Sequence, residues 1–494
     1  MVDDPLLAAL DADIRPEVGA AFLDIIARYL AGTARGEGPV TTPLSAEDLV
    51  ARFDQPLPDQ EQPLATVLER LERDVLPHVT RLTHPMYMGH QVSAPLPAAI
   101  WIESLISAIN NSTAVQEMAP PVTVIEHQLV RWLSSLVGWS DQSGGTLTSG
   151  GTEATFTALL AARAAAMPEA WEQGVGADPP VVVYGETAHY AVPRAVAQLG
   201  LGLRHGIAIP SREHRMDLDA LTATLARLAT EGKRIMAVVA TAGSTPTGSF
   251  DDLDAIGRLC EERGIWLHVD GAHGATALFS DAHRHRVAGI HRARSLAWDP
   301  HKTMLLPLSA GMVLVRNGAD LDQAFLQRAP YLFHAGGARR VWDLGPRSFQ
   351  CSRRGDALKL WFALQRYGAR NVGALYDRLC ETAQALHREL AAHPDFEPLH
   401  HPESNILCFR YRGLESAGEA AQDRVHFELR QRYNRSGAGW ITMTVLGGRR
   451  VLRVTIMNPR TRLEHLQQLL AGLEHEARGL AASGLPLPPS GAGA

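Results

Sequence analysis

Along residues 264–272, Ile265, Leu267 and Val269 alternate with Trp266, His268 and Asp270. Alternation of period two that closes on Gly-Ala predicts a buried strand delivering Asp270 to its carboxyl end. Short apolar runs at 181–184, 235–241 and 311–317 predict further strands, and a helix is expected between two of them at 253–263. Strand alternating with helix from 181 to 316 implies crossover units and a mostly parallel sheet, an α/β architecture. In such sheets ligands sit outside the carboxyl ends of the strands, where Asp270 is placed.

The flanking regions are organised differently. Residues 15–30 carry Val18, Phe22, Ile25, Ile26 and Tyr29 on one helical face, a Pro/Gly-rich link follows at 34–43, and a second helix is expected at 63–75. Residues 84–96, HPMYMGHQVSAPL, are too interrupted by Pro and Gly to predict a regular element. Helices follow at 98–110 and at 121–137, the second ending near Gly138. The helix at 356–367 is marked by Ala357, Leu360, Trp361 and Leu364 at helical spacing, with Gly368 as its stop. From about residue 371 a smaller unit begins, with a helix to about 392 and strands at 406–411, 441–445 and 452–456; Gly447 and Gly448 allow a hairpin. The expected division is an N-terminal helical segment (1–84), a large domain (85–370), a small α+β domain (371–482) and a low-complexity, disordered tail (483–494).

Composition narrows the class. A chain of 494 residues, 46% hydrophobic and 20% charged, is long enough for two or three packed units of a soluble protein. Its formal net charge of −6 argues against nucleic acid or an anionic membrane as the main partner. The four cysteines, Cys260, Cys351, Cys380 and Cys408, lack CxxC spacing, so neither a disulfide framework nor a zinc site is indicated. The first residues, MVDDPLLAAL, are acidic where a signal peptide is basic, and no apolar run reaches a membrane span; the expected location is cytoplasmic.

The candidate chemistry centres on residues 295–303, SLAWDPHKT. Lys302 ends an apolar run, and a desolvated lysine becomes a nucleophilic amine able to hold a carbonyl cofactor as an imine; the alternative is an ordinary exposed loop lysine. An aspartate at a strand's carboxyl end with a lysine on a following turn is what pyridoxal 5'-phosphate requires: the carboxylate keeps the pyridine nitrogen protonated while the lysine forms the aldimine. Upstream, TSGGTEAT leads into a helix, and Gly151 and Thr152 sit where backbone amides and the positive end of that helix would cradle a phosphate. Gly200, Gly202 and Gly206 lack the GxGxxG spacing of a dinucleotide site. His268, Asp270 and His273 invite a metal reading, but no further ligand is spaced to close a site, and no metal is expected. Asp251 and Asp252 read as the N-terminal turn of the following helix, and the HRHR run at 283–286 as a solvated loop.

Taken together, HVDGAH, DPHKT, TSGGTEAT and ETAHYAV resemble the group II pyridoxal-phosphate-dependent amino acid decarboxylases over roughly residues 75–465. The resemblance implies a fold type I, aspartate aminotransferase-like large domain, a homodimer with the N-terminal segment packed on the partner, and a small-molecule amino acid as substrate. It places His189 against the cofactor ring, where it helps position the leaving carboxylate or a proton, and puts Thr245, Ala272 and His301 in the cofactor site with Gly151, Thr152, Asp270 and Lys302. It also places Tyr87, His90 and Gln91 on the substrate side and has Arg453 pair with a carboxylate. Relatives carry a proton-donating tyrosine in the loop matching 329–354; its counterpart here is Trp342, so Tyr331, His334 or His189 would have to serve. The implied reaction is decarboxylation through Lys302, with aldehyde synthesis or an aminotransferase-like outcome as alternatives, and a catalytically silent binding module as a third.

Overall fold

The computed structural model describes residues 5–326, 342–413 and 418–482. Tyr331, His334, the first half of the loop expected at 329–354 and the expected tail lie outside the described residues.

Seven strands form the main sheet, in the spatial order Gly144–Thr148, Gly311–Val315, Ser295–Trp298, Trp266–Asp270, Ile235–Thr241, Val181–Gly185, Gly206–Ile209. All pairings are parallel except those of Gly311–Val315, which runs antiparallel to both neighbours. The central strands are buried on both faces, so they read as near-continuous Val, Ile and Ala runs rather than clean alternations. Each fully buried Val or Leu there contributes roughly 1.5–3 kcal/mol. Helix Gly151–Ala166 packs across the sheet through Ala154, Ala158 and Ala161, all buried, and its small residues permit close approach.

A second, five-stranded sheet has the order Tyr87–Met88, Trp440–Leu446, Arg449–Thr455, Ile406–Tyr411, Phe396–Pro398. Gly447 (φ 54°) and Gly448 (φ 78°) make its hairpin turn, where both central residues need positive φ. Here the sequence reading of 84–96 as irregular is corrected: Tyr87 and Met88 pair in parallel with Trp440 and Ile441. Two residues are too few to show a period, and the pairing partner lies far along the chain. Gly368 (φ 77°) interrupts helix Ala357–Ala392 where a stop was expected, after which the helix resumes.

At the N-terminus, helix Pro16–Ala34 buries Ile25 but leaves Phe22 42% exposed. The expected helix at 63–75 is present as Leu64–Arg70 continued by a widened turn at Leu71–Val75. Helix Ala46–Phe53 was not anticipated, although Ser45 and Asp48 form a reciprocal capping box at its start. Among the described residues no helix is long and apolar enough to cross a membrane.

Candidate active site

Strand geometry brings the candidate residues together. Ser295–Trp298 runs parallel to Trp266–Asp270 with Asp270 opposite Ala297, so the turn following Trp298 lies beside the carboxyl end that carries Asp270. That turn holds Asp299, His301 and Lys302. Gly311 pairs with Thr148, which brings the 149–152 turn against the same edge. The result is a cavity of about 340 Å³ lined by Gly151, Thr152, His189, Thr245, Asp270, Ala272, His301 and Lys302, every cofactor-site residue expected from the sequence.

Lys302 Nζ lies 3.0 Å from Asp299 Oδ2. Asp299 is almost fully buried, and its Oδ1 has no hydrogen-bond partner among the described residues. Nδ1 of His301 accepts from the Ala310 amide (3.0 Å), which leaves the ring proton on Nε2, 3.5 Å from Asp299 Oδ2. Asp270 Oδ1 accepts from the Ala272 amide (3.2 Å). His189 Nδ1 accepts from the Ala191 amide (3.2 Å), so its proton also resides on Nε2. Burial holds the His189 imidazole below its ordinary pKa, an effect opposed by the Asp270 carboxylate and reinforced by Lys302. Burial likewise lowers the pKa of His301, again opposed by a carboxylate, that of Asp299.

The phosphate-side turn is built to stay open. A Cβ at Gly151 would meet Ala272 Cβ at 2.9 Å and Asp299 Oδ2 at 3.0 Å, and one at Gly311 would meet Gly150 Cα at 2.4 Å. The Ser149 amide (2.9 Å) and hydroxyl (2.6 Å) and the Gln350 amide nitrogen (2.9 Å) all donate to Glu153 Oε2, which fixes the turn from the side. This glycine cradle at a helix N-terminus, with a lysine and an aspartate facing the same cavity, fits pyridoxal phosphate.

The substrate-side residues are placed less directly. Tyr87, His90 and Arg453 do not line the cavity, whereas Gln91 does. Tyr87 and Arg453 nevertheless stand on one sheet, with strand Trp440–Leu446 between them. Tyr87 Oη accepts from the His90 amide (3.2 Å), and the charge of Arg453 bears on the titration of both. Arg453 is buried, donates to Thr455 Oγ1 (3.2 Å), and has an Nε without a partner among the described residues. Burial pulls its pKa down. Trp342 stands edge-on to His127 with ring centroids 5.1 Å apart and is not a cavity residue.

Sequence reasoning passed over Asp299 and His273 as site residues. Asp299 was legible in principle, standing three residues before Lys302 in the same turn. His273 had been weighed as a metal ligand; among the described residues no group of side chains is arranged to hold a metal. Ser244, next to Thr245, pairs with Thr247 Oγ1 (2.9 Å). Asp251 is a buried clasp accepting from the Met216 and Thr241 amides (2.7 Å each), while Asp252 caps the helix as expected.

A lysine and an aspartate at the carboxyl edge of a mostly parallel sheet, facing a glycine-built anion cradle, define a fold type I pyridoxal-phosphate enzyme. Residues 46–412 match the pyridoxal-dependent decarboxylase conserved domain. The chain is 33% identical over 430 residues to the L-2,4-diaminobutyrate decarboxylase of Rhizobium meliloti (strain 1021), covering 86% of this chain and 84% of that protein. It is 30% identical over 491 residues to the cysteine sulfinic acid decarboxylase of Mus musculus, covering 96% and 99%. Its fold superposes on the crystal structure of mouse CSAD with a TM-score of 0.87 at 27% identity, covering 93% of this chain and 98% of that one. The chain belongs to the pyridoxal-dependent decarboxylase family, and is a pyridoxal-phosphate-dependent carboxy-lyase acting on an amino acid.

Proposed function

We propose that Lys302, Asp270 and His189 carry out the decarboxylation of an L-amino acid to its amine and CO2 in the cavity they share. The observation that carries this reading is the lysine amine held 3.0 Å from a buried carboxylate inside a cavity that Asp270 also lines. Bound pyridoxal phosphate supplies an electron sink for the bond broken at the substrate's α-carbon. Lys302, whose amine faces the cavity, would hold it covalently. Asp270 retains the proton on the ring nitrogen. Gly151, Thr152 and Thr245 hold the phosphate side, Ala272 and His301 pack the ring's surroundings, and His189 positions the departing carboxylate. Its Nε2–H would also let it move a proton in the cavity. Arg453, with Tyr87 and His90 beside it, draws in the substrate carboxylate; its buried guanidinium has no carboxylate partner among the described residues.

The N-terminal helices form a homodimer contact in this reading, supported by the exposed apolar side chains of Phe22 and Leu23 on helix Pro16–Ala34. The division at residues 84, 370 and 482 and a cytoplasmic location belong to the same proposal. The test is product analysis after incubating cofactor-loaded protein with the pooled amino acids plus diaminobutyrate and cysteine sulfinate. An amine formed with equimolar CO2, and lost in Lys302→Ala, is the expected result. An aldehyde or oxo acid without the amine would overturn the reading and show that Trp342 in the usual tyrosine position has redirected the chemistry.

A further inference from the structure

His273 faces the cofactor cavity, is 2% exposed, and connects two parts of the fold. Its carbonyl accepts from Thr303 Oγ1 (2.8 Å), the residue after Lys302. Its Nε2 lies 2.7 Å from Oδ1 of Asn405, the fully buried residue that opens strand Ile406–Tyr411 of the small sheet.

The orientation of that amide is fixed by its other contacts. Asn405 Nδ2 lies 2.8 Å from the Ile456 carbonyl oxygen, which can only accept, and 3.1 Å from Met457 Sδ. Oδ1 is therefore the end turned to His273, and Nε2 must carry the ring proton. Nδ1 is left as a bare acceptor, buried and without a partner among the described residues. The charged groups around the ring are Lys302, Arg453 and Asp299. With two cations against one carboxylate, a second ring proton would be opposed. Asn405 also accepts the Ile456 amide on its backbone oxygen (2.8 Å). It thereby fixes the end of the strand on which Arg453 stands.

We propose that His273, held as the neutral Nε2–H tautomer by Asn405, is the positioning residue that locks the Arg453 strand to the Lys302 turn. An amide partner suits both ends, because an aspartate at 405 would draw a second proton onto the ring and turn a carboxylate oxygen, which cannot donate, toward the Ile456 carbonyl. The proposal rests on Arg453 contacting the substrate, which Arg453→Gln tests separately by its own rise in KM.

His273→Phe removes the donor and is expected to raise KM about tenfold with kcat changed less than about threefold, while cofactor absorbance is retained. His273→Gln, which keeps an N–H at the same reach, is expected to recover most of that loss. A measurement on the cofactor-free protein needs no substituted enzyme to be active: the 15N spectrum of labelled histidine, with His273 assigned by its absence from H273Q. One protonated and one bare ring nitrogen at neutral pH are expected in the native chain, and two protonated nitrogens in N405D. A doubly protonated His273 in the native chain, or an H273F whose KM is unchanged while R453Q raises it, would overturn the proposal. Unchanged KM in both variants would instead remove the assignment of Arg453.

Discussion

The protein contains three lysines, and they occupy three different environments. Lys233 pairs with Asp178 on the surface, Lys359 is fully buried among carboxylates, and Lys302 alone lines the cavity. Because Lys302 and Asp270 perform different tasks, their removal has different signatures. Lys302→Ala should abolish turnover and the absorbance of the covalently held cofactor together. Asp270→Asn should leave that cofactor bound but lower kcat by about 10²–10³-fold, seen in single-turnover kinetics, since an amide cannot hold the ring-nitrogen proton by charge. Asp270 was legible from sequence because it closes a strand with a readable period, and Lys302 because it follows an apolar run in the SLAWDPHKT stretch downstream of that aspartate. Asp299 and His273 were not recognised, since their roles depend on what the turn and the small sheet bring to them. Residues such as Tyr87 and Arg453, brought into one sheet by strand pairing distant in sequence, were named by resemblance rather than by any local pattern.

Elements hold the site open as much as residues fill it. The helix beginning at Gly151 can approach Ala272 and Asp299 only without a side chain there, so Gly151→Ala should weaken cofactor binding while leaving the sheet folded. A cost of about 1–3 kcal/mol is expected, read from a cofactor titration beside a thermal melt of the cofactor-free protein. Behind the Lys302 turn, Lys359 Nζ lies 2.6 Å from Glu103 Oε1 and 3.3 Å from Asp356 Oδ1, and donates to the Ser309 carbonyl (2.6 Å). Lys359→Met would strand those carboxylates, and a loss of about 3–5 kcal/mol in urea unfolding is expected, with the 305–310 segment losing protection in hydrogen exchange first. Most strands and long helices were readable in the sequence, as at 235–241 and 253–263. Helix Ala46–Phe53 and strand Tyr87–Met88 were missed, one because it is short and leaves its apolar side chains exposed, the other because its existence depends on Trp440.

At the scale of the whole molecule, burial of neutral histidines couples stability to pH. Burial pushes His268 and His400 down to about 4 and His273 to about 3, from an ordinary value of 6.5. The unfolded chain therefore takes up protons near pH 6.5 that the folded chain refuses until much lower pH. Their contribution is complete above about pH 6.5 and is lost progressively as the pH falls toward about 4. A fall of a few kcal/mol in unfolding free energy between about pH 7 and pH 5 is expected, measured by urea denaturation at each pH. The fold class was legible because strand and helix alternate over a long stretch, but the antiparallel run of Gly311–Val315 was not, since an apolar run does not encode its direction. The measurement closest to the central claim is borohydride reduction of the cofactor-loaded protein followed by peptide mapping of the three lysines. The account predicts the reduced cofactor fixed on the peptide carrying Lys302, with Lys233 and Lys359 unmodified; a label on either of those, or on no lysine, would contradict it.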